Sequence, residues 1–237
     1  MVTRKFRPQL HPRNFPLART RGPTHDRAMS DPVTHDISSL ERLLALFGPT
    51  SAIAAAKAIP RLDVHCRNFI ALSPFLVIGS SDREGRADTS PKGDPPGFVR
   101  VLDDRTLAIP DRPGNNRLDT LRNILENPEV AAIFFVPGVD ETLRVNGRAR
   151  LTTDPDLLAT MSVQGRMPTL AIVIAVREAY LHCAKALKRS RLWDPAGRVE
   201  RGALPSLGRM VHDQIRPAED VAAIEERIER SYRDRLY

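Results

Sequence analysis

The sequence predicts a mostly β fold with flanking helices, in the form of an antiparallel barrel or sandwich. Several short β-like segments follow one another between residues 73 and 180, and hairpin-like turns such as Asp82–Gly85 and Pro137-Gly138 separate them. Most gaps between these segments are too short for the helix that a parallel crossover needs. A parallel sheet built from βαβ units is therefore excluded.

The first helical region, residues 37–72, is predicted to contain three helices. Leucines recur at helical spacing from Ile37 until Gly48-Pro49 ends the run. An alanine-rich helix over Ala52–Ile59 follows and is closed by Pro60. The third helix is expected over Arg61–Leu72, and its inner side is formed by Leu62, Cys66, Phe69 and Ile70.

The β region is then read from runs of apolar and β-branched residues between turn signals. Strands are predicted at Phe75–Ser80, Arg86–Ser90, Phe98–Leu102, Thr106–Pro110, Val130–Val136, Thr142–Thr152 and Leu170–Arg177. The dipeptide Asn146-Gly147 interrupts the sixth of these. It marks either a turn or a bulge within one long strand, since the residues on both sides stay extended.

Further helices are predicted within and after the β region. Asn116 is expected to cap a helix over Asn116–Glu126, which Asn127-Pro128 ends. Asp154-Pro155 starts another helix that reaches about Val163. A segment from Tyr180 to Trp193 and a helix opened by Pro217 complete the chain. We expect residues 29–237 to form a single domain, with helices over 37–72, a barrel core over 73–180 and C-terminal helices over 182–237.

The net charge of +7 comes almost entirely from the N-terminal tail. Residues 1–28 hold seven arginines and lysines against one acid, and the other 209 residues have a net charge of only +1. A nucleic-acid-binding domain carries its basic surface on the fold, so binding to nucleic acid is an unfavoured alternative. The proline-rich tail is expected to be disordered. It is a polyanion-binding arm, a targeting segment or an extension upstream of a natural start at Met29, and the extension is favoured.

Composition excludes several classes of protein. No apolar run approaches the roughly 20 residues that span a bilayer, and no secretory signal is recognised. Only two cysteines occur, Cys66 and Cys183, which favours a cytoplasmic protein without a disulfide framework. Nucleotide-binding glycine loops, the serine hydrolase elbow and the zinc-protease motif are not found. No metal site is expected, since the pairs His65-Cys66 and His182-Cys183 are adjacent residues that point in different directions.

The remaining candidate functional side chains are hydroxyl groups and cations that could bind a phosphate. They occur in three groups: Ser90 and Lys92; Arg117 and Thr120; Lys185, Arg189 and Ser190. A helix N-terminus with nearby arginine or lysine attracts an anion. Because no nucleophile–base pair accompanies these donors, they favour binding of a phosphorylated cofactor over hydrolysis. A loop, a capped helix and solvated cations would give the same pattern.

Three segments, in this order, resemble the flavin-binding split barrels of the pyridoxamine 5′-phosphate oxidase-like family. They are Ala87-Asp-Thr-Ser-Pro-Lys-Gly93, the helix segment from Asn115 to Pro128, and Leu143-Arg-Val-Asn-Gly-Arg-Ala-Arg150. The similarity covers roughly Phe69 to Trp193. It implies an antiparallel split β-barrel, a homodimer and FMN held in a groove between the subunits.

The resemblance also implies positions for the cofactor-binding residues. The strand and turn with Asp88, Thr89, Ser90, Lys92 and Gly93 would lie along the flavin ring and ribityl chain. The helix start, with Asn116, Arg117 and Thr120, would hold the FMN phosphate. Residues of a later segment would approach the cofactor, from the same or the second subunit: Lys185, Arg189, Ser190 and Trp193.

An FMN-dependent oxidoreductase acting on a small molecule is therefore expected, and Lys92 is the candidate catalytic residue that would stabilise reduced flavin. Family members that oxidise pyridoxamine phosphate end in a Trp-containing segment with an Arg-x-His pair. Here the corresponding region reads Arg209-Met-Val-His212, so the resemblance does not extend to that substrate. The alternative is a protein that binds flavin, or another ligand such as haem, without turnover.

Overall fold

The computed structural model describes residues 35–237. The predicted basic tail, residues 1–28, and the predicted start at Met29 lie outside the described residues. Residues 35–49 belong to one unit and Thr50–Tyr237 to a second, which contains the whole sheet. No helix in the described part of the chain is both long and apolar enough to cross a membrane.

Eight α-helices occur in the described residues. Their bounds are α1 Leu40–Phe47, α2 Ala52–Ala56, α3 Val64–Leu72, α4 Asp119–Glu126, α5 Pro155–Thr160, α6 Lys185–Ser190, α7 Leu207–Ile215 and α8 Val221–Asp234. The three helices predicted within residues 37–72 are confirmed. The third is capped by Asp63, which accepts a hydrogen bond from the Cys66 backbone N–H at 2.9 Å. Its predicted inner residues Leu62, Cys66 and Ile70 are buried.

Seven strands form one antiparallel sheet in the order β2-β1-β5-β6-β7-β4-β3. Their bounds are β1 Phe75–Ser81, β2 Ala87–Gly93, β3 Arg100–Val101, β4 Thr106–Asp111, β5 Glu129–Phe135, β6 Thr142–Thr152 and β7 Leu170–His182. The antiparallel prediction is confirmed. Backbone pairing leaves β2 and β3 at the two edges, so the strands do not close into a continuous hydrogen-bonded barrel.

The two longest strands, β6 and β7, join two parts of the sheet. The first half of β6 pairs with β5, and the first half of β7 pairs with β4. Between the halves, the β6–β7 register shifts at Asn146/Gly147, so the dipeptide is a bulge and not a turn. A side chain at Gly147 would overlap the backbone of Ala175, so glycine is required for the two strands to approach here.

The core lies between the inner face of the sheet and helices α3 and α4. Leu76 and Ile78 of β1, Phe134 of β5, Ile70 of α3 and Ile124 of α4 belong to one buried cluster. Helix α4 is fixed to the end of β1 by two side-chain hydrogen bonds. Asn123 donates to Ser80 at 3.0 Å and Asn127 donates to Ser81 at 2.9 Å. Helix α4 also contacts edge strand β2, and Asp88 of β2 is close enough to Arg117, just before the helix, to raise its pKa.

Several predicted boundaries are wrong. The strand predicted at Phe98–Leu102 is limited to β3, because Phe98 and Val99 are buried in a turn that precedes it. Strand β7 extends past its predicted end at Arg177. The C-terminal helix begins after its cap Asp220 and not at Pro217. Helix α7 was not predicted. It packs against α8, where Gly208 lies against Glu225.

Candidate functional site

Edge strand β2 carries five of the predicted cofactor residues. Asp88, Ser90 and Lys92 lie opposite Ser80, Ile78 and Leu76 of β1, whose side chains are buried on the core face. Cross-strand neighbours share a face of the sheet. The side chains of Asp88, Ser90 and Lys92 are therefore on the same face as α4, and Thr89 and Gly93 are on the opposite face.

Lys92, the predicted catalytic residue, forms an ion pair with Asp111 at the end of β4. Lys92 Nζ lies 2.8 Å from Asp111 Oδ1, and the two side chains are only 16% and 20% exposed. The pair connects edge strand β2 to β4 from the other part of the sheet, where no backbone hydrogen bonds join these strands. Lys92 therefore has a structural partner, and a role beside a cofactor would require it to share its charge with Asp111.

A second ion pair next to the first fixes the segments that leave β2 and β4. Arg112 Nε donates to Asp94 at 2.6 Å, and the Asp94 side chain is only 1% exposed. The Tyr237 hydroxyl donates to the other oxygen of Asp94 at 2.8 Å. This hydrogen bond, together with burial, raises the pKa of Tyr237. Sequence reasoning missed Asp111 and Arg112, and it named Asp94 only as an acid–base or turn-forming carboxylate, because the partners in these pairs are 18 or more residues apart and only the curvature of the sheet brings them together.

The N-terminus of α4 has no side-chain cap. The predicted cap Asn116 is wrong: Asn116 has φ 58° and lies outside the helix, and the cap position is Leu118, with φ 62°. The first hydrogen bond of the helix runs from Arg122 N to Leu118 O at 2.9 Å. The backbone N–H groups of Asp119, Thr120 and Leu121 precede it and lie at the open helix end, where an anion is stabilised.

Arg117 and Thr120 differ in their freedom to contact a ligand. The exposed Arg117 donates to Asp119 at 2.7 Å. That hydrogen bond raises the pKa of Arg117, and the Asp88 carboxylate acts in the same direction, so β2 and the helix start are electrostatically connected. Thr120 is only 4% exposed, so its hydroxyl has little access to a phosphate, contrary to the binding role predicted for it.

The later group of predicted residues lies elsewhere in the subunit. Lys185, Arg189 and Ser190 are exposed on the short helix α6. Trp193 Nε1 donates to the Val139 carbonyl at 2.9 Å, which attaches this segment to the β5–β6 loop. Within the described residues, α6 has no substantial packing contact with β2 or α4. We call the region between β2 and the start of α4, with Asp88, Ser90 and Arg117, the β2–α4 site. The α6 residues and Trp193 reach it only if a second subunit supplies them, and that remains a prediction.

Within residues 35–237, no group of three or more histidines, cysteines and acids is placed to hold a metal ion. The two cysteines are free, Cys66 buried and Cys183 exposed.

The fold and the β2–α4 site define an antiparallel sheet protein with an open helix N-terminus beside an edge strand. The sequence model of the pyridoxamine 5′-phosphate oxidase family matches residues 62–183, just over half of the chain. The chain belongs to this family. The matched segment contains all of β1–β7, α4 and the residues of the β2–α4 site. Comparison with curated proteins gave no match.

Solved structures show weaker likenesses. HupZ from Group A Streptococcus is 20% identical, with 50% of this chain and 92% of that chain covered and a TM-score of 0.41. A Lactobacillus delbrueckii protein provisionally named a pyridoxamine 5′-phosphate oxidase is 19% identical, with coverage of 52% and 98% and a TM-score of 0.41. An FMN-binding protein from Syntrophomonas wolfei is 11% identical, with coverage of 49% and 80% and a TM-score of 0.38.

Proposed function

We propose that this protein is an FMN-dependent oxidoreductase that acts on a small molecule as a homodimer. The observation that carries the proposal is the uncapped N-terminus of α4 beside β2, in a chain of the pyridoxamine 5′-phosphate oxidase family. Three backbone N–H groups at this end and the adjacent Arg117 form a donor set that suits a phosphate. Asp88 and Ser90 continue the polar surface along the strand, as a ribityl chain would need.

The charges around the site suit an FMN phosphate. Asp119 opposes an anion at the helix start, but its pair with Arg117 is exposed, and pairs of this kind hold weakly. Arg117 can therefore exchange Asp119 for a phosphate oxygen at small cost. Lys92 is held more firmly, since its pair with Asp111 is mostly buried. The donor set fits the phosphate through Arg117 and the α4 amides, while Lys92 keeps its pair with Asp111.

Bound FMN would supply two-electron redox chemistry to an oxidisable or reducible substrate. The residues of the chain would bind and orient it. The α4 amides and Arg117 would fix the phosphate, Ser90 and Asp88 would hydrogen-bond the chain that follows, and Lys92 would stabilise negative charge on the reduced ring. Lys185, Arg189, Ser190 and Trp193 would come from the partner subunit. This requirement is the reason that the homodimer is part of the proposal.

The test is a titration of the purified full chain with FMN, followed by quenching of flavin fluorescence, and then by anaerobic addition of NADH, NADPH or dithionite. We expect saturable binding at one FMN per subunit and bleaching of the visible absorbance band of the flavin by a physiological donor. Sedimentation or light scattering should give a dimer. A chain that ignores FMN at high concentration would refute the proposal.

A second candidate function is a flavin- or other ligand-binding protein without turnover. The Lys92–Asp111 pair favours it, since the candidate catalytic amine already has a partner. It predicts that FMN binds but that neither nicotinamide cofactor bleaches it, whereas dithionite does. The same titration with haem in place of FMN decides which ligand is preferred.

A further inference from the structure

Tyr237 is attached to the sheet by three contacts, although residues 235–237 have no regular secondary structure. Its hydroxyl donates to Asp94 at 2.8 Å, and the Arg112 guanidinium lies over its ring, 5.5 Å from the centroid. Its backbone oxygen accepts a hydrogen bond from Arg166 Nη1 at 2.6 Å. Asp94 follows β2 and Arg112 follows β4, so the segment after α8 joins the ends of these two strands. We call residues 235–237 the strap.

The Tyr237 hydroxyl satisfies the second oxygen of a buried carboxylate. The Asp94 side chain is only 1% exposed, and its other oxygen accepts a hydrogen bond from Arg112. Arg112 is itself fixed, since it also donates to the Met161 carbonyl at 2.7 Å. A buried ion pair is stable only when further hydrogen bonds satisfy the groups that its partner leaves free. Tyr237 therefore supplies the donor that the Asp94–Arg112 pair needs.

This ion pair lies next to the pair of the candidate catalytic residue. Asp94 follows Lys92 by two residues, and Arg112 follows Asp111 directly. Both pairs run from the end of β2 to the end of β4. Because each oxygen of Asp94 has a donor, Asp94 does not compete with Asp111 for the Lys92 ammonium. Loss of the Tyr237 hydroxyl would leave a buried acceptor two residues from Lys92 and would free the strap from β2.

We propose that Tyr237 is a positioning residue, which holds the Lys92 ammonium against Asp111 by fixing the Asp94–Arg112 pair beside it. The strap keeps the ends of β2 and β4 together, and these ends carry Lys92 and its partner. The effect of Tyr237 on a reaction rests on the proposed function, in which Lys92 stabilises reduced flavin. Its effect on the position of Lys92 needs no flavin.

Acetylation of the lysines with acetic anhydride, followed by mass spectrometry of peptides, reports the position of Lys92 in the full chain without a cofactor. The side chain of Lys92 is 16% exposed, whereas that of Lys188 is 68% exposed and provides an internal reference. We expect Lys92 to react much more slowly than Lys188. Tyr237→Phe should raise the rate at Lys92 about 10- to 100-fold, the usual effect of leaving a buried acceptor without its donor. The rate at Lys188 should not change.

The matched control is Tyr232→Phe, which removes the same hydroxyl from an exposed position on α8. The buried thiol of Cys66 reports the fold, because it should stay unreactive in every variant that remains folded. Arg166→Ala removes the other anchor of the strap at an exposed position, and it should also raise the rate at Lys92. It carries the test if Tyr237→Phe exposes Cys66. A rate at Lys92 that these strap variants leave unchanged, or that Tyr232→Phe raises equally, would overturn the proposal.

With FMN bound, the midpoint potential of the flavin tests whether Tyr237 acts through Lys92. Lys92→Met should lower the potential, because it removes the positive charge that stabilises the reduced ring. Tyr237→Phe should also lower it, and combining the two changes should lower it no further than Lys92→Met alone. An unchanged potential in Tyr237→Phe, or an equal shift with and without Lys92, would contradict a positioning role.

The two measurements separate this inference from the proposed function. Protection of Lys92 that depends on Tyr237, in a chain that ignores FMN, supports the strap and refutes only the flavin proposal. FMN binding and bleaching in a chain whose Lys92 reacts equally with and without the Tyr237 hydroxyl refutes the strap and leaves the proposed function in place.

Discussion

Arg117 provides the sharpest test of the phosphate site. Replacing it by alanine removes a charge-assisted contact that is generally worth about 10- to 150-fold in affinity. In this structure Arg117 must first leave Asp119. Breaking an exposed ion pair of this kind lowers the affinity that Arg117 contributes by up to about fivefold. Arg117→Ala should therefore weaken FMN binding by about 2- to 30-fold.

The assay compares FMN with riboflavin, which lacks the phosphate, by fluorescence quenching. Arg117→Ala should weaken the binding of FMN and leave the binding of riboflavin unchanged. The matched control is Arg122→Ala, which removes the same side chain from α4 itself, where it is exposed. Asp119→Asn should strengthen FMN binding, because it frees Arg117 and removes an opposing charge. An equal loss of FMN affinity in the two arginine variants, or an equal loss of FMN and riboflavin, would refute the reasoning.

Three further predictions concern the fold around the site. Gly147→Ala should lower the free energy of unfolding in urea by about 1–3 kcal/mol through overlap with the facing strand, whereas Gly114→Ala, in open space, should be neutral. Lys92→Met leaves Asp111 unpaired and should lower the free energy of unfolding in urea by about 1–3 kcal/mol. The double variant Lys92→Met, Asp111→Leu should recover most of this stability. Burial raises the pKa of Cys66 from 9.0 to about 11, so a thiol reagent at pH 8 should modify one cysteine per native chain and both in urea. Because the folded-state pKa is the higher one, the stability contributed by the neutral thiol is complete below pH 9 and is lost as the pH rises through about 11.

Local patterns were sufficient for most of the elements. Asp154 caps its helix through bonds to the next few residues, as predicted, and the strand Thr142–Thr152 has the predicted bounds. These features depend on neighbours in sequence, so spacing and propensity predict them. Asn116 shows the limit of this reasoning. It is a favourable capping residue by type, but the chain passes through left-handed conformations at Asn116 and Leu118 before the helix begins.

The contacts of Lys92 could not be predicted for a different reason. Its position on a strand and its charge are evident from the sequence, but its partner Asp111 belongs to the other part of the sheet. Whether Lys92 faces a ligand or a carboxylate depends on how far the sheet curls. The same applies to Asp94 and Arg112. The positions of chemical groups were therefore accessible from the sequence, and their pairing was not.

We attribute the curvature of the sheet to the bulge at Asn146/Gly147. A regular β6–β7 ladder would keep the two halves of the sheet in one gently twisted surface, whereas a bulge bends the strand and increases its twist. The bend lets the edge strand β2 approach the end of β4, where Lys92 meets Asp111 and Asp94 meets Arg112. Straightening it should therefore disturb both ion pairs together, whereas changes confined to α4 should leave them in place.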